Sequence, residues 1–218
     1  MTDSSSAGLS PRRYQLTHWQ AERLAASYAD LRADPRYAAA TRFFLEDLYG
    51  PYDFSKRDRE GERIVATMHK MLPASAVRPL ERALQLNRLT RSLDDALEQM
   101  LFVEMGVEQI DLTSYCEAYR RCDNLAARIE QIEEVDVLGR ELDRVVRKPL
   151  VQLALRMARG PAHLAGLGEL QDFLERGFAA FLAMGHAAPF LEQIKRRELI
   201  YLDRINARDP DPFRVIED

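Results

Sequence analysis

The sequence predicts an all-α fold, a single-domain bundle of seven or eight helices, and three observations carry that expectation. Apolar residues recur at threes and fours over long windows, the period of a helix buried along one face. Ten Gly and ten Pro punctuate the chain instead of clustering, so they read as stops. No segment alternates apolar and polar residues with period two, and no unit repeats. The expected layout is a Ser-rich polar leader over residues 1–11, the bundle over 12–208 and a tail over 209–218.

The first helix is expected from about Tyr14 to Leu31. Tyr14, Ala21, Leu24, Ala25, Tyr28 and Leu31 form its inner face. Trp19 points off that face, toward another helix or an interaction surface. His18 and Glu22 stand four apart at its edge and read as an exposed pair, because a lone His-x-x-x-Glu supplies too few ligands for a metal.

The second helix starts at Pro35 behind Asp34 as cap. It carries the densest aromatic stretch, Arg42-Phe-Phe-Leu-Glu-Asp-Leu-Tyr-Gly-Pro-Tyr-Asp-Phe-Ser55. At about 100° per residue, Phe43, Phe44, Leu45, Leu48 and Tyr49 span a wide arc, so this helix is buried on most sides. Glu46 lies at the edge of the arc, four residues after Arg42. Asp47 falls between Phe43 and Phe44, in the last turn, where the helix dipole disfavours negative charge. A residue that breaks two local rules is a structural anchor or a functional site. As an anchor, Asp47 accepts hydrogen bonds from a neighbouring Arg or from loop N–H groups. As a site residue, it is a ligand-binding or proton-handling carboxylate. Gly50 is expected in a left-handed conformation, Pro51 prevents continuation, and Ser55 with Asp58 forms a capping-box-like start for the next helix.

This stretch resembles the FFLxDLYGPxDF-type segment of a family of bacterial all-helical proteins without an assigned activity. The resemblance covers the fourteen residues 42–55. It implies no chemistry and assigns no functional residue.

The third helix is expected from Lys56 to Leu72. Its charge run, Lys56 to Arg63, reads as a solvated face, and its inner face is Ile64, Val65, Met68, Met71 and Leu72. His69 sits at the margin of that face, where a lone histidine is more often a core-edge residue than a ligand. After Pro73, a fourth helix runs from Ser75 to Met105, with a break near Pro79 considered, on a stripe of Leu86, Leu89, Leu93, Leu97 and Met100. Gly106 stops it. Asp111 or Thr113 caps the fifth, where Tyr115 and Tyr119 stack one turn apart. A restart at Asp123 then carries Ile129, Ile132, Leu138, Leu142 and Val145 to Lys148, with Glu130, Glu133, Glu134 and Asp136 on the solvent side. Pro149 breaks or kinks the chain, and Leu150–Ala158 make a short apolar helix. Residues 159–168 are the loosest interior stretch. Phe173–Met184 follows, where Gly177 and Ala180 would admit a second backbone. The last helix carries Leu191, Ile194, Leu202 and Ile205 and ends at Asp209-Pro-Asp-Pro-Phe213.

Net charge is −4 and the pI is near 5.7, which argues against a general nucleic-acid binder. The two cysteines, Cys116 and Cys122, match no zinc spacing and read as reduced structural thiols. Residues 1–10 lack the apolar run of a signal peptide, and no run of apolar residues is long enough to span a membrane, so a cytoplasmic location is expected. Phosphate-loop, nucleophile-elbow and His-Glu-x-x-His motifs are missing, as is the Glu-x-x-His of di-iron bundles. No metal is expected to be structural and no cofactor is expected, while a haem held by one histidine stays open. Two functions remain. One is a non-catalytic protein that binds a protein partner or small ligand near Phe43–Ser55, with Asp47, Tyr49, Tyr52 and His69 as candidate ligand-binding residues and with homo-oligomerisation left open. The other is a helical enzyme, haem-dependent or cofactor-free, using Asp47 or His69.

Overall fold

Ser10 opens the first helix. Its hydroxyl accepts from Arg13 N at 3.1 Å, and Pro11 sits in the first turn, where its missing N–H is no loss. The computed structural model describes the backbone of residues 8–68 and 74–216, and the side chains of residues 8–65 and 78–216. His69, and the expected end of the third helix at Leu72 and Pro73, lie outside the described residues. Those residues form α1 (Pro11–Ser27), α2 (Ala29–Ala33), α3 (Ala38–Phe43), α4 (Ser55–Met68), α5 (Ala74–Gln99), α6 (Leu112–Arg121), α7 (Leu125–Val146), α8 (Pro149–Leu164), α9 (Gly168–Met184) and α10 (Ala188–Asn206). Two π-helical turns, π1 (Phe44–Leu48) and π2 (Met100–Glu104), extend α3 and α5. The fold is all-α, as the periodicity predicts, with no strand among the described residues.

The described residues hold ten helices against an expected seven or eight, and local backbone geometry explains the difference. Tyr28, at φ −119° and ψ 24°, divides the expected first helix. Asp34 ends α2 instead of opening the next helix, because its carboxylate folds back to accept from Arg36 N at 2.8 Å. Pro35 therefore lies in the turn. Asp123 takes a left-handed φ of 48°, which separates α6 from α7. The cap of α6 is Asp111, which exchanges hydrogen bonds with Ser114 in a capping box. α8 runs through Gly160 and Pro161 to Leu164, so much of the expected loose stretch is helical.

Both π turns close with a five-residue step: Tyr49 N donates to Phe44 O at 3.0 Å, and Met105 N to Met100 O at 2.9 Å. Gly106 then stops π2 in a left-handed conformation, at φ 63°. Gly50 is not left-handed. A glycine is needed there because a Cβ would come within 2.4 Å of Glu46 O.

α7 is the central helix, packed against α5, α8, α9 and α10. It meets α10 closely at Gly139, where a Cβ would lie 2.5 Å from Leu191. On α9, Gly177 admits the Phe43 ring, not a second backbone. Two apolar clusters form the core. One gathers Tyr28, Leu31, Val146, Phe181, Phe190 and Leu191; the other gathers Leu16, Leu97, Leu101, Phe102, Tyr115 and Ile205. Trp19 belongs with the second and stacks on Tyr115, with ring centroids 3.9 Å apart. Pro212 is buried, and Phe213 packs edge-on against Tyr201, so the segment after α10 returns to the core. α8 leaves an apolar ridge in solvent, with Met157 70% and Leu164 92% exposed. No helix among the described residues is long and apolar enough to cross a membrane, and no three His, Cys, Asp or Glu side chains gather there as metal ligands would.

Candidate functional site: a polar cavity between the two core clusters

Tyr28, Leu31 and Phe190 of one cluster and Tyr115 and Ile205 of the other face a common cavity of about 120 Å³. Five of the chain's eight tyrosines line it: Tyr28, Tyr49, Tyr115, Tyr119 and Tyr201. Helical spacing aims the polar groups inward. Gln20 and Arg23 share a face of α1, Thr90 and Asp94 a face of α5, and Arg128, Gln131, Ile132 and Val135 a face of α7. Glu198 comes from α10, between Ile194 and Leu202. π1 contributes Phe44 and Leu45, with Tyr49 directly after it.

On the α1–α10 wall the charges pair with each other, although Arg23 Nε has no hydrogen-bond partner. Arg23 donates to both Glu198 oxygens, at 2.7 and 3.3 Å, and the Tyr28 hydroxyl donates to Glu198 Oε1 at 2.7 Å. Burial works against the Arg23 charge, but Glu198 and the tyrosines beside it outweigh burial and hold its pKa above the ordinary arginine value. Burial, helped by Glu198, pushes the Tyr28 phenol well up. Burial likewise takes Tyr49 to about 12, so both phenols stay neutral and can donate.

The arginine of the α5–α7 wall is not paired in this way. Arg128 is only 4% exposed. Its Nη2 donates to Leu93 O at 3.1 Å and its guanidinium lies over the Tyr119 ring at 4.3 Å, while Nε has no hydrogen-bond partner and the group enters no ion pair among the described residues. Asp94 accepts from Gln20 at 3.2 Å and lies 3.9 Å from Arg13, which also pairs with Asp95 and, at 2.7 Å, with Glu98. Burial raises the Asp94 pKa against the pull of Gln20, Arg128 and Arg13. Gln131 donates to Thr90 at 2.8 Å. Thr41, 3% exposed, faces the cavity with an unpartnered hydroxyl.

The three described residues of the sequence-predicted site, Asp47, Tyr49 and Tyr52, are not brought together. Tyr49 lines the cavity. Asp47 points away from it and takes hydrogen bonds from Arg176 of α9, at 2.8 Å from Nε and 2.6 Å from Nη2. Tyr52 is half-exposed against Phe54. No described histidine lines the cavity. His18 and Glu22 form an exposed pair at 3.5 Å, and His163 pairs with Asp172 at 3.1 Å. Cys116 and Cys122 are free thiols, and burial pushes Cys116 up to about 11.

Arg23, Asp94, Arg128 and Glu198, the charged groups of the cavity, were not among the expected site residues. Glu198 had a signal: it occupies the position between Ile194 and Leu202, four from each, in the apolar stripe of the last helix. Arg128 had a similar one, four before Ile132 and seven before Val135.

The class is a helical scaffold around a cavity lined by apolar side chains with a few buried polar and charged ones. The chain belongs to the family described as a domain of unknown function (DUF8198), which matches residues 2–212. Comparisons with the curated proteins and with the solved structures returned no match.

Proposed function

We propose that this protein binds a small molecule inside the cavity between α1, α5, α6, α7 and α10. One observation carries the reading: a cavity of about 120 Å³ is lined by a buried arginine, Arg128, that enters no ion pair among the described residues. A buried cation without a counter-charge is costly, and a bound ligand can supply that charge. The volume is comparable to the roughly 150 Å³ apolar cavities that admit benzene. A ligand of that order, with a planar or short apolar body and polar ends, matches the aromatic and polar lining. The site adjoins the Phe43–Ser55 segment, because π1 and Tyr49 form part of its wall.

The test is a melting-temperature screen with phenol, butyramide, butyrate, benzoate and benzylamine at millimolar concentration, followed by NMR. Binding to the native state raises the melting temperature by mass action. We expect at least one compound to do so and to shift resonances of Tyr49 and Tyr119. If none raises the melting temperature, or the shifts map to the exposed ridge of α8, the reading fails.

Asp94 supports a second reading, that of a helical enzyme without a cofactor. Its carboxyl has a raised pKa and lies in the same cavity, which suits a proton donor. Under that reading Asp94→Asn abolishes turnover of a bound compound while leaving its affinity within a few-fold. Equal loss of both sinks it.

A further inference from the structure

We infer that the ligand of this cavity is a small carboxylate, seated on Arg128 with its apolar or aromatic body against the tyrosines. The inference rests on the cavity reading and narrows it to a chemical class. Both arginines that line the cavity are embedded in the helical core, but only Arg23 has a counter-charge at contact distance, in Glu198. Arg128 has one carbonyl partner and one ring. A buried cation is retained where something anionic meets it. Asp94 lines the same cavity and feels the Arg128 charge, yet it forms no ion pair with Arg128, and Gln20 and Arg13 hold it from the side of α1. A guanidinium presents a planar fork that suits two carboxylate oxygens, and the neutral Tyr49 phenol is a further donor for an anion. Phosphate also fits a guanidinium. A carboxylate is favoured because one arginine of the site, Arg128, enters no ion pair among the described residues, and a monoanion matches its single charge.

The experiment compares butyrate and benzoate with butyramide and benzamide by calorimetry at fixed ionic strength, with inorganic phosphate as a further probe. The proteins are the parent, Arg128→Met and Arg128→Lys. We expect each carboxylate to bind the parent at least tenfold tighter than its amide, and phosphate to bind more weakly than either. Arg128→Met should lose the preference and melt at or above the parent temperature without ligand. Arg128→Lys, which keeps the charge but loses the fork, should retain part of it. Amides that bind as well as carboxylates would leave the cavity reading standing and overturn this one. Tighter phosphate binding, or a preference that survives in Arg128→Met, overturns it as well. An Arg128→Met protein that melts far below the parent shows that Arg128 serves the fold, and it also counts against the proposal. Should neither carboxylate bind the parent, the class is wrong, whatever phenol does.

Discussion

The two walls of the cavity hold the same residue type and treat it oppositely. On the α1–α10 wall, Arg23 meets Glu198 through two hydrogen bonds, and Tyr28 donates to the same carboxylate. On the α5–α7 wall, Arg128 is at least as deeply buried and enters no ion pair among the described residues. Burying a charge is costly without a counter-charge, and the first wall supplies one for its arginine while the second does not.

The largest expected effect breaks the Arg23–Glu198 pair. Glu198→Gln strands the Arg23 guanidinium in the interior and weakens the Tyr28 hydrogen bond. Removing one partner of a buried ion pair costs roughly 3–5 kcal/mol. Urea unfolding should show that loss for Glu198→Gln, and a change within about 1 kcal/mol, or a gain, for Arg128→Met. Equal losses for the two variants would erase the distinction between the walls.

A smaller effect is expected at Asp94, and it depends on pH. Burial raises its pKa in the folded chain. Between the ordinary aspartate value and that raised value the folded chain binds more protons at this group than the unfolded chain does. Stability from Asp94 therefore falls as pH rises through that window, and the cost is fully present above it. Asp94→Asn should thus be more stable than the parent at pH 7.5, with the gap closing as the pH is lowered toward 4. Urea midpoints at the two pH values check this, and a gap that widens on acidification refutes it. The comparison must be between parent and variant. Asp30, Asp53 and Asp111 have lowered pKa values, chiefly from hydrogen bonds, and they impose the opposite slope on both proteins.

Much of the scaffold was legible because helix signals are local. Gly106, Asp111 and the stripe through Leu89, Leu93 and Leu97 all lie within a few residues of what they determine. The cavity is not local. Its charged groups stand at 23, 94, 128 and 198, on four helices, and no spacing rule connects them. Single positions still carried a trace, since Glu198 sits where the stripe of α10 calls for an apolar residue. The π turn was a different obstacle. A helical wheel assumes about 100° per residue, but π1 closes with a five-residue step and advances less per residue. Every angle after Phe43 is shifted, and Asp47 moves from the aromatic arc to the side facing Arg176.

That displacement yields the smallest and most discriminating prediction. Inside an aromatic arc, the Asp47 carboxylate would leave a buried donor stranded when removed. Its observed partner is Arg176, whose side chain is 55% exposed, while that of Asp47 is 15% exposed. Arg176 can therefore rehydrate once the carboxylate is gone. Arg57 bonds the backbone carbonyl of Asp47 at 2.6 Å, a contact that alanine keeps. Asp47→Ala should consequently cost about 1 kcal/mol or less, in the range of a largely exposed pair. Glu46, which is exposed, should cost close to nothing as Glu46→Ala. Neither variant should change ligand affinity, because neither side chain lines the cavity. Urea unfolding of both, with calorimetry on the same samples, separates the outcomes. A loss of about 3 kcal/mol or more for Asp47→Ala would make this carboxylate as deeply committed to the fold as Glu198. A loss of binding without a loss of stability would bring the outer face of π1 into the site, which would then extend beyond Arg128.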